Sequence, residues 1–161
     1  MIFITVGSQK FQFNRLLKAV DEQVANKKIT DEVFAQTGAS DYIPRNYSYV
    51  PFLNRDEFVE MTKKADIVIT HGGTGAIIGA VKKRKKVIAV PRLAKYGEHV
   101  DDHQLQLIEQ FKDLGLICEC ENCNDLWSII EKIKTMEFNE YHSSTSMIIR
   151  CIEQFIENND E

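Results

Sequence analysis

The sequence predicts an α/β fold with a doubly wound parallel sheet of six strands, and three observations support this prediction. Short runs rich in β-branched and aromatic residues alternate along the chain with segments that carry apolar residues at helical spacing. Several of the short runs are apolar without interruption, which is typical of strands buried on both faces of a parallel sheet. A glycine cluster at 72–75 separates one such run from a helical pattern, an arrangement common where open α/β sheets bind ligands.

The first half of the chain supplies three strands and two helices. We expect strands at 2–6, 32–37 and 47–52 and helices at 13–24 and 55–64. Asn54 is predicted to cap the second helix, because its side chain can accept a hydrogen bond from a first-turn N–H.

The second half continues the alternation. We expect strands at 66–70, 87–90 and 116–119 and helices at about 75–84, 101–114, 125–135 and 144–157. Pro91 closes the fifth strand, and Asn124 or Asp125 is expected to cap the helix after the sixth. The last helix carries a broad apolar face that packs on the core or binds a partner, formed by Met147, Ile148, Cys151, Ile152, Phe155 and Ile156.

Size and charge limit the classes of function. At 161 residues we expect a single domain over 1–161 with a core of its own. A net charge of −4 argues against a nucleic-acid partner. No apolar run approaches the roughly 20 residues of a membrane span. The first six residues predict a strand rather than a signal peptide, so a cytoplasmic location is expected.

Four cysteines allow two interpretations. Cys120-Glu-Asn-Cys123 has the spacing of a redox motif, with Cys118 close by and Cys151 distant. A structural zinc site needs four ligands, and no second close pair is present in the sequence. We therefore expect reduced, partly buried thiols and no metal site.

A run of five cations at 82–86 also has two interpretations. It could attract anionic lipid, or it could cap the end of a helix, where cations are favourable. Because the run lies between a helix and the start of a strand, at the edge opposite the glycine cluster, we favour the cap.

The glycine cluster predicts a phosphate site. It follows an apolar strand and opens a helix, so its backbone can turn sharply and present unpaired N–H groups and a positive helix end to an anion. In the common strand order 3-2-1-4-5-6, strands one and four are neighbours. Gly7-Ser8 after strand one would then face Gly72-Gly73-Thr74-Gly75 after strand four.

Two other phosphate-binding motifs can be tested on the same residues. A dinucleotide fold needs G-x-G-x-x-G directly after strand one, where this chain has only Gly7. The P-loop pattern G-x-x-x-x-G-K-[ST] does not occur in the sequence.

Three segments together resemble the C-terminal, donor-binding half of glycosyltransferase family 28. They are His71-Gly72-Gly73-Thr74-Gly75, Val90-Pro91 and Gly97-Glu98-His99-Val100-Asp101-Asp102-His103-Gln104. The resemblance covers nearly the whole chain and implies a Rossmann-like domain, one half of the GT-B architecture. It is greatest to the stand-alone version of that half, which occurs in bipartite exopolysaccharide and capsule enzymes and in the eukaryotic dolichyl-diphosphate N-acetylglucosamine transferase.

The resemblance also implies roles for individual residues toward a UDP-sugar. Gly7, Ser8 and the backbone of Gly72 to Gly75 would approach the diphosphate, with His71 beside them. Pro51 and Phe52 would line the uracil, Glu98 and His99 would contact the donor, and Gln104 would contact its sugar. One residue departs from the family pattern: Gly79 stands where members usually carry a glutamate that binds the ribose.

The chemistry implied is inverting transfer by direct displacement, without a cofactor or metal, through stabilisation of the leaving diphosphate. His71, His103 and Gln104 are the expected catalytic residues. A general base must act on the acceptor hydroxyl, and it would come from a partner, with His99 and His103 as local alternatives. The expected partner is a membrane-anchored, acceptor-binding subunit, and the expected acceptor is a saccharide linked to a polyprenyl diphosphate. A non-catalytic nucleotide-sugar-binding module that stimulates a partner transferase is the alternative.

Overall fold

The computed structural model describes residues 1–142 and confirms the predicted α/β fold class. Six strands form one sheet in the order β3-β2-β1-β4-β5-β6, and all paired strands are parallel. The strands are β1 (Ile2–Thr5), β2 (Val33–Gln36), β3 (Ser48–Val50), β4 (Ile67–His71), β5 (Lys86–Val90) and β6 (Cys118–Glu119). The helices are α1 (Asn14–Ala25), α2 (Arg55–Lys64), α3 (Thr74–Val81), α4 (His103–Asp113) and α5 (Leu126–Ile133), with short 3₁₀ turns at Ala94–Tyr96 and Cys123–Asp125.

Two local predictions at helix starts have different outcomes. Asn54 caps α2 as predicted, and the cap is reciprocal, because Asn54 accepts from the Glu57 N–H while Glu57 accepts from the Asn54 N–H. Of the two predicted caps of α5, Asp125 occupies the N-cap position, but its side chain makes no capping hydrogen bond within residues 1–142. A 3₁₀ turn precedes that helix, and Asn122 caps the turn by accepting from the Asn124 N–H at 3.0 Å.

The core lies in two layers because successive strand residues point to opposite faces of the sheet. Ile2, Ile4 and Ile69 pack with α1 and α5 on one face, while Phe3 and Val68 pack with α2, α3 and α4 on the other. All of β1 and β4 is buried. The loops that leave the carboxyl ends of these two strands therefore start from a rigid platform.

The cationic run caps helices at the opposite edge of the sheet. Lys83 donates to the Gly79 carbonyl in the last turn of α3 at 3.1 Å, and Lys85 donates to the Lys63 carbonyl in the last turn of α2 at 2.6 Å. Lys86 donates to two carbonyls at the end of α5. Because three lysines interact with carbonyls of three helices, the arrangement favours the cap interpretation over a lipid-binding patch.

No helix within residues 1–142 is long and apolar enough to cross a membrane. The predicted final helix at 144–157, its apolar face and Cys151 lie outside the described residues.

Candidate functional site

The two glycine loops meet at the carboxyl edge of the sheet, around the ring of His71. Adjacent pairing of β1 and β4 brings Gly7 close to the end of β4. A Cβ at Gly7 would lie 2.6 Å from His71 Cε1, and a Cβ at Gly73 would lie 2.3 Å from His71 Nε2. Gly7 also has a φ of +76°, which favours glycine. Both loops therefore need glycine where the imidazole packs against them.

His71 is neutral at physiological pH. Only 8% of the residue is exposed, and its Nδ1 lies 3.4 Å from Thr70 Oγ1. Burial lowers the pKa of His71 to about 4, the positive charge of Arg92 contributes to the lowering, and a hydrogen bond with the Thr5 backbone opposes it. The ring can therefore make neutral hydrogen bonds to a ligand.

The start of α3 offers unpaired donors beside this ring. Its N-cap is Gly73, and among residues 1–142 no side chain accepts from the first-turn N–H groups of Thr74, Gly75 and Ala76. Gly75 has open space around it: apart from its chain neighbours and the backbone of α3, no heavy atom of residues 1–142 lies within 4 Å of a Cβ placed there. Because the helix dipole adds positive potential at these N–H groups, this end of α3 is suited to an anion.

A cleft of about 490 Å³ opens over these groups. Its walls come from the β1 loop, the β4–α3 loop and the β3–α2 segment, and they include Gly7, Ser8, Phe52, His71, Gly73 and Gly75 from the predicted site. Phe52 is 55% exposed, so its ring face is available at the mouth. Pro51 does not line the cleft, but its carbonyl accepts from the Gly38 N–H at 2.8 Å and fixes the segment that carries Phe52.

Other cleft residues were not predicted from the sequence. Gln36 at the end of β2, Asn54 and Arg55 at the start of α2, and the apolar Phe58 and Val59 also line the walls. Gln36 accepts from the Leu53 N–H at 3.1 Å and so holds the segment next to Phe52. The sequence offered one signal for Gln36, which was its position: it ends a strand that lies next to β1 in the predicted strand order.

Gln104 connects two loops from the first turn of α4. Its Oε1 accepts from the N–H of Gly72 at 3.1 Å and from the N–H of Arg92 at 3.0 Å. The Gly72 N–H is therefore already bonded and supports the loop rather than facing the cleft. Gln104 Nε2 has no hydrogen-bond partner within the described part of the chain, which leaves it as a donor.

Glu98 is held inside the fold. The residue is fully buried, and its two carboxylate oxygens accept from Arg15 Nε and Nη2, both at 2.9 Å, and one also accepts from the Leu93 N–H. Burial lowers the pKa of the Arg15 guanidinium, but the hydrogen bond and the charge of Glu98 outweigh burial, so that the pKa of Arg15 is raised. Because both carboxylate oxygens are already bonded within the fold, we do not retain Glu98 as a contact to the UDP-sugar.

His99 and His103 converge on Asp101 beside Gln104. His99 Nδ1 lies 3.3 Å from Asp101 Oδ1, His103 Nδ1 contacts the same oxygen, and the two imidazole centroids are 4.7 Å apart. The hydrogen bonds from His103 hold the pKa of the Asp101 carboxyl below its usual range. Such a pair can hold a histidine in one tautomer as a general base, and the three ligand atoms, all within 4.8 Å, could also share a metal ion.

The cysteines have the character of structural thiols. Cys118, Cys120 and Cys123 are free, and the last two are buried. Burial raises the pKa of the Cys120 thiol to about 12 and also raises the pKa of Cys123. Because little thiolate forms, the arrangement favours the expectation of inert, reduced cysteines.

Comparison with known proteins agrees with the fold. The chain is 27% identical over 128 residues to UDP-N-acetylglucosamine transferase subunit ALG13 of Homo sapiens, covering 74% of this chain and 11% of the relative. It is 40% identical over 52 residues to the subunit of the same name from Candida glabrata, covering 32% of this chain and 24% of the relative. The chain thus spans less than a quarter of the length of these curated relatives.

Solved structures share the architecture at low identity. A solution structure of ALG13 aligns with a TM-score of 0.60 and 18% identity, covering 92% of each chain. The glycotransferase of kitacinnamycin aligns with a TM-score of 0.62 and 14% identity over 84% of this chain and 35% of the other. MurG of Acinetobacter baumannii aligns with a TM-score of 0.51 and 20% identity over 81% of this chain and 41% of the other.

The family match extends over more of the chain than either curated relative. Residues 1–156 match the family model of the glycosyltransferase family 28 C-terminal domain. The glycine loops, the order of strands and the matched segment agree, and the chain belongs to the glycosyltransferase family 28 C-terminal domain family.

Proposed function

We propose that this chain is the donor-binding, catalytic subunit of a two-component, inverting UDP-sugar glycosyltransferase. The observation that carries the proposal is the cleft in which the uncapped start of α3 and the two glycine loops surround a neutral His71. Open α/β sheets bind ligands at this crevice, where neighbouring strands lead to helices on opposite faces.

The leaving group explains why such a cleft suits the reaction. Breaking the bond between the sugar and UDP places growing negative charge on the diphosphate, and fixed N–H donors stabilise that charge without reorganisation. The N–H groups of Thr74 and Gly75, with the dipole of α3, supply this stabilisation. Direct displacement by the acceptor hydroxyl then inverts the anomeric carbon and needs no cofactor.

We assign the remaining contacts as follows. Gly7 and Ser8 lie across the cleft from α3 and approach the diphosphate, and Phe52 provides an aromatic face for the uracil. Gln104 Nε2 donates to a sugar hydroxyl while its Oε1 keeps the loops in place. The base that takes the acceptor proton comes from the partner, with His103 supported by Asp101 as the alternative within this chain.

The acceptor and partner follow from the family resemblance. A membrane-anchored subunit would bind a polyprenyl-diphosphate-linked saccharide at the cytoplasmic face of the membrane and recruit this chain, and the product would enter exopolysaccharide or capsule synthesis. UDP-N-acetylglucosamine is the first donor to test, because the curated relatives carry it in their names.

One observation favours a second function. Gly79, with open space around it, stands where the resemblance implies a glutamate that binds the ribose. Without that carboxylate the chain would bind the UDP-sugar more weakly, which suits a non-catalytic module that stimulates a partner transferase.

A binding and turnover series tests both functions. Isothermal titration of the chain with UDP, UDP-N-acetylglucosamine and ADP should show binding of the uridine nucleotides and much weaker binding of ADP. With the reconstituted partner, His71→Ala and Gln104→Ala should abolish sugar transfer if this chain catalyses it. His142→Ala, at an exposed histidine, is the matched control. No binding of any uridine diphosphate would refute the proposal, and full turnover by both variants would favour the non-catalytic module.

A further inference from the structure

Arg92 is a buried arginine that faces carbonyls rather than carboxylates. Only 1% of the residue is exposed, and it is among the largest fully buried side chains of the described residues. Its Nη1 donates to the carbonyls of Phe11, Gln12 and Glu98 at 2.9, 3.1 and 3.1 Å, and its Nη2 donates to the Val6 carbonyl. Arg92 therefore connects the loop after β1 with the loop after β5.

The local charges do not balance. The Glu98 carboxylate forms its bidentate ion pair with Arg15, and among the described residues no carboxylate lies within ion-pair distance of Arg92. Burial lowers the pKa of the Arg92 guanidinium and the charge of Glu98 opposes that shift, but an arginine stays protonated in proteins. Two guanidinium groups and one carboxylate leave a surplus positive charge beneath the loops.

This charge lies close to the cleft. Arg92 binds the carbonyl of Val6, the residue directly before Gly7, and its backbone N–H shares Gln104 Oε1 with the N–H of Gly72. The positive potential of Arg92 also reaches His71 between the two glycine loops. A buried charge without a counter-ion is unfavourable, and an anion bound in the cleft would offset it.

We propose that Arg92 is the buried counter-charge for the diphosphate of the bound nucleotide and the positioning residue for the loop that carries Gly7 and Ser8. This inference rests on the proposed function. It assigns the charge neutralisation of the diphosphate to a side chain within the protein. Because the guanidinium is buried, its effect should resist screening by salt.

Charge and shape can be separated by substitution. Arg92→Met removes the charge and all the donors, whereas Arg92→Lys keeps the charge and loses most of the fork that bridges the loops. Arg45→Met, at an exposed arginine between β2 and β3, is the control for loss of a positive charge elsewhere. Uridine and UDP are the probes, because a general loss of folding weakens both ligands equally. A lost charge weakens UDP in Arg92→Met alone, whereas a displaced Gly7-Ser8 loop weakens UDP in Arg92→Met and in Arg92→Lys.

The expected result is a change in ligand preference. The ratio of UDP affinity to uridine affinity, measured by isothermal titration and ligand-observed NMR, should fall at least about tenfold in Arg92→Met. It should stay within about threefold of the unmodified chain in Arg92→Lys and Arg45→Met, even though Arg92→Lys lowers the melting temperature. An unchanged ratio in Arg92→Met would overturn the inference while leaving the proposed function intact.

A second measurement needs no variant. On the unmodified chain, the UDP-to-uridine ratio should change less than about threefold between 0.05 and 0.5 M NaCl, because surface charges are screened and a buried charge is not. Collapse of the ratio with salt would overturn the inference. Failure of the unmodified chain to bind UDP at all would refute the proposed function, and the inference with it.

Discussion

Introducing a carboxylate at Gly79 tests the geometry of the cleft by gain of function. Gly79 lies in α3 one turn beyond Gly75, so it shares the helix face that borders the cleft. Apart from its chain neighbours and the backbone of α3, no heavy atom of residues 1–142 lies within 4 Å of a Cβ at this position, so the first side-chain atom fits without rearrangement. A glutamate there would lean back toward the start of the helix and toward the ribose of a bound nucleotide.

Two effects of Gly79→Glu can be calculated separately. Replacing a glycine inside a helix stabilises the folded state by about 0.5–1 kcal/mol, and alanine should provide this gain as well. Hydrogen bonds from ribose hydroxyls to a carboxylate contribute about 1.5–3 kcal/mol each when well shielded. Because this site is partly exposed, we expect about 1.4 kcal/mol, a tenfold gain in UDP affinity.

The assay compares three proteins and two ligands. Titration calorimetry of Gly79→Glu should show the tenfold gain for UDP and no gain for 2′,3′-dideoxy-UDP, which lacks the hydroxyls. Gly79→Ala should raise the melting temperature without changing either affinity. Equal UDP affinity in the alanine and glutamate variants, or an equal gain for the dideoxy nucleotide, would refute the placement of the ribose beside α3.

Four further predictions address stability and ion requirements. The pKa of His71 is about 4 in the folded state and about 6.5 in the unfolded state, so its contribution to the free energy of unfolding is complete above pH 6.5. As the pH falls toward 4, the protein loses about 3 kcal/mol of this contribution. Urea titrations should therefore show a smaller pH dependence of stability in His71→Gln than in the unmodified chain. Binding of UDP should raise the pKa of His71, which NMR titration of its ring protons would detect, and an unmoved pKa would place the anion elsewhere. Gln104→Ala leaves the buried N–H groups of Gly72 and Arg92 without an acceptor, and chemical denaturation should show a loss of about 2 kcal/mol or more. Chelation with EDTA should leave UDP affinity within twofold; a tenfold loss would instead implicate a metal ion held by His99, Asp101 and His103.

The features predicted correctly from the sequence are those whose signals are local. The alternation of β-rich and helical patterns fixes the element order, and the glycines after β1 and β4 mark their own turns. Asn54 is a cap because both partners of the box lie within four residues. The strand order then follows from the common topology of such sheets.

The features missed depend on side chains that meet across the fold. Glu98 lies within a motif near the ligand edge, but it pairs with Arg15, 83 residues earlier, and so is used within the structure. Arg92 binds the carbonyls of Phe11 and Gln12, which are 81 and 80 positions away, and no pattern in the sequence marks carbonyls as partners. The pairing of Asp101 with His103 could have been predicted from the sequence, because the two are separated by one residue at a helix start.

The glycine motif is better understood as one packed unit than as a flexible loop. Gly73 has a φ of −75°, which any residue can adopt, so its backbone does not require glycine. The requirement comes from the His71 ring, which leaves no room for a Cβ at Gly73 and also excludes one at Gly7. The ring in turn is held neutral by burial and by the charge of Arg92. The same imidazole therefore determines the spacing of the two loops and contributes a neutral surface to the cleft. This is why a histidine followed by two glycines at the end of a buried strand carries more information than the glycines alone.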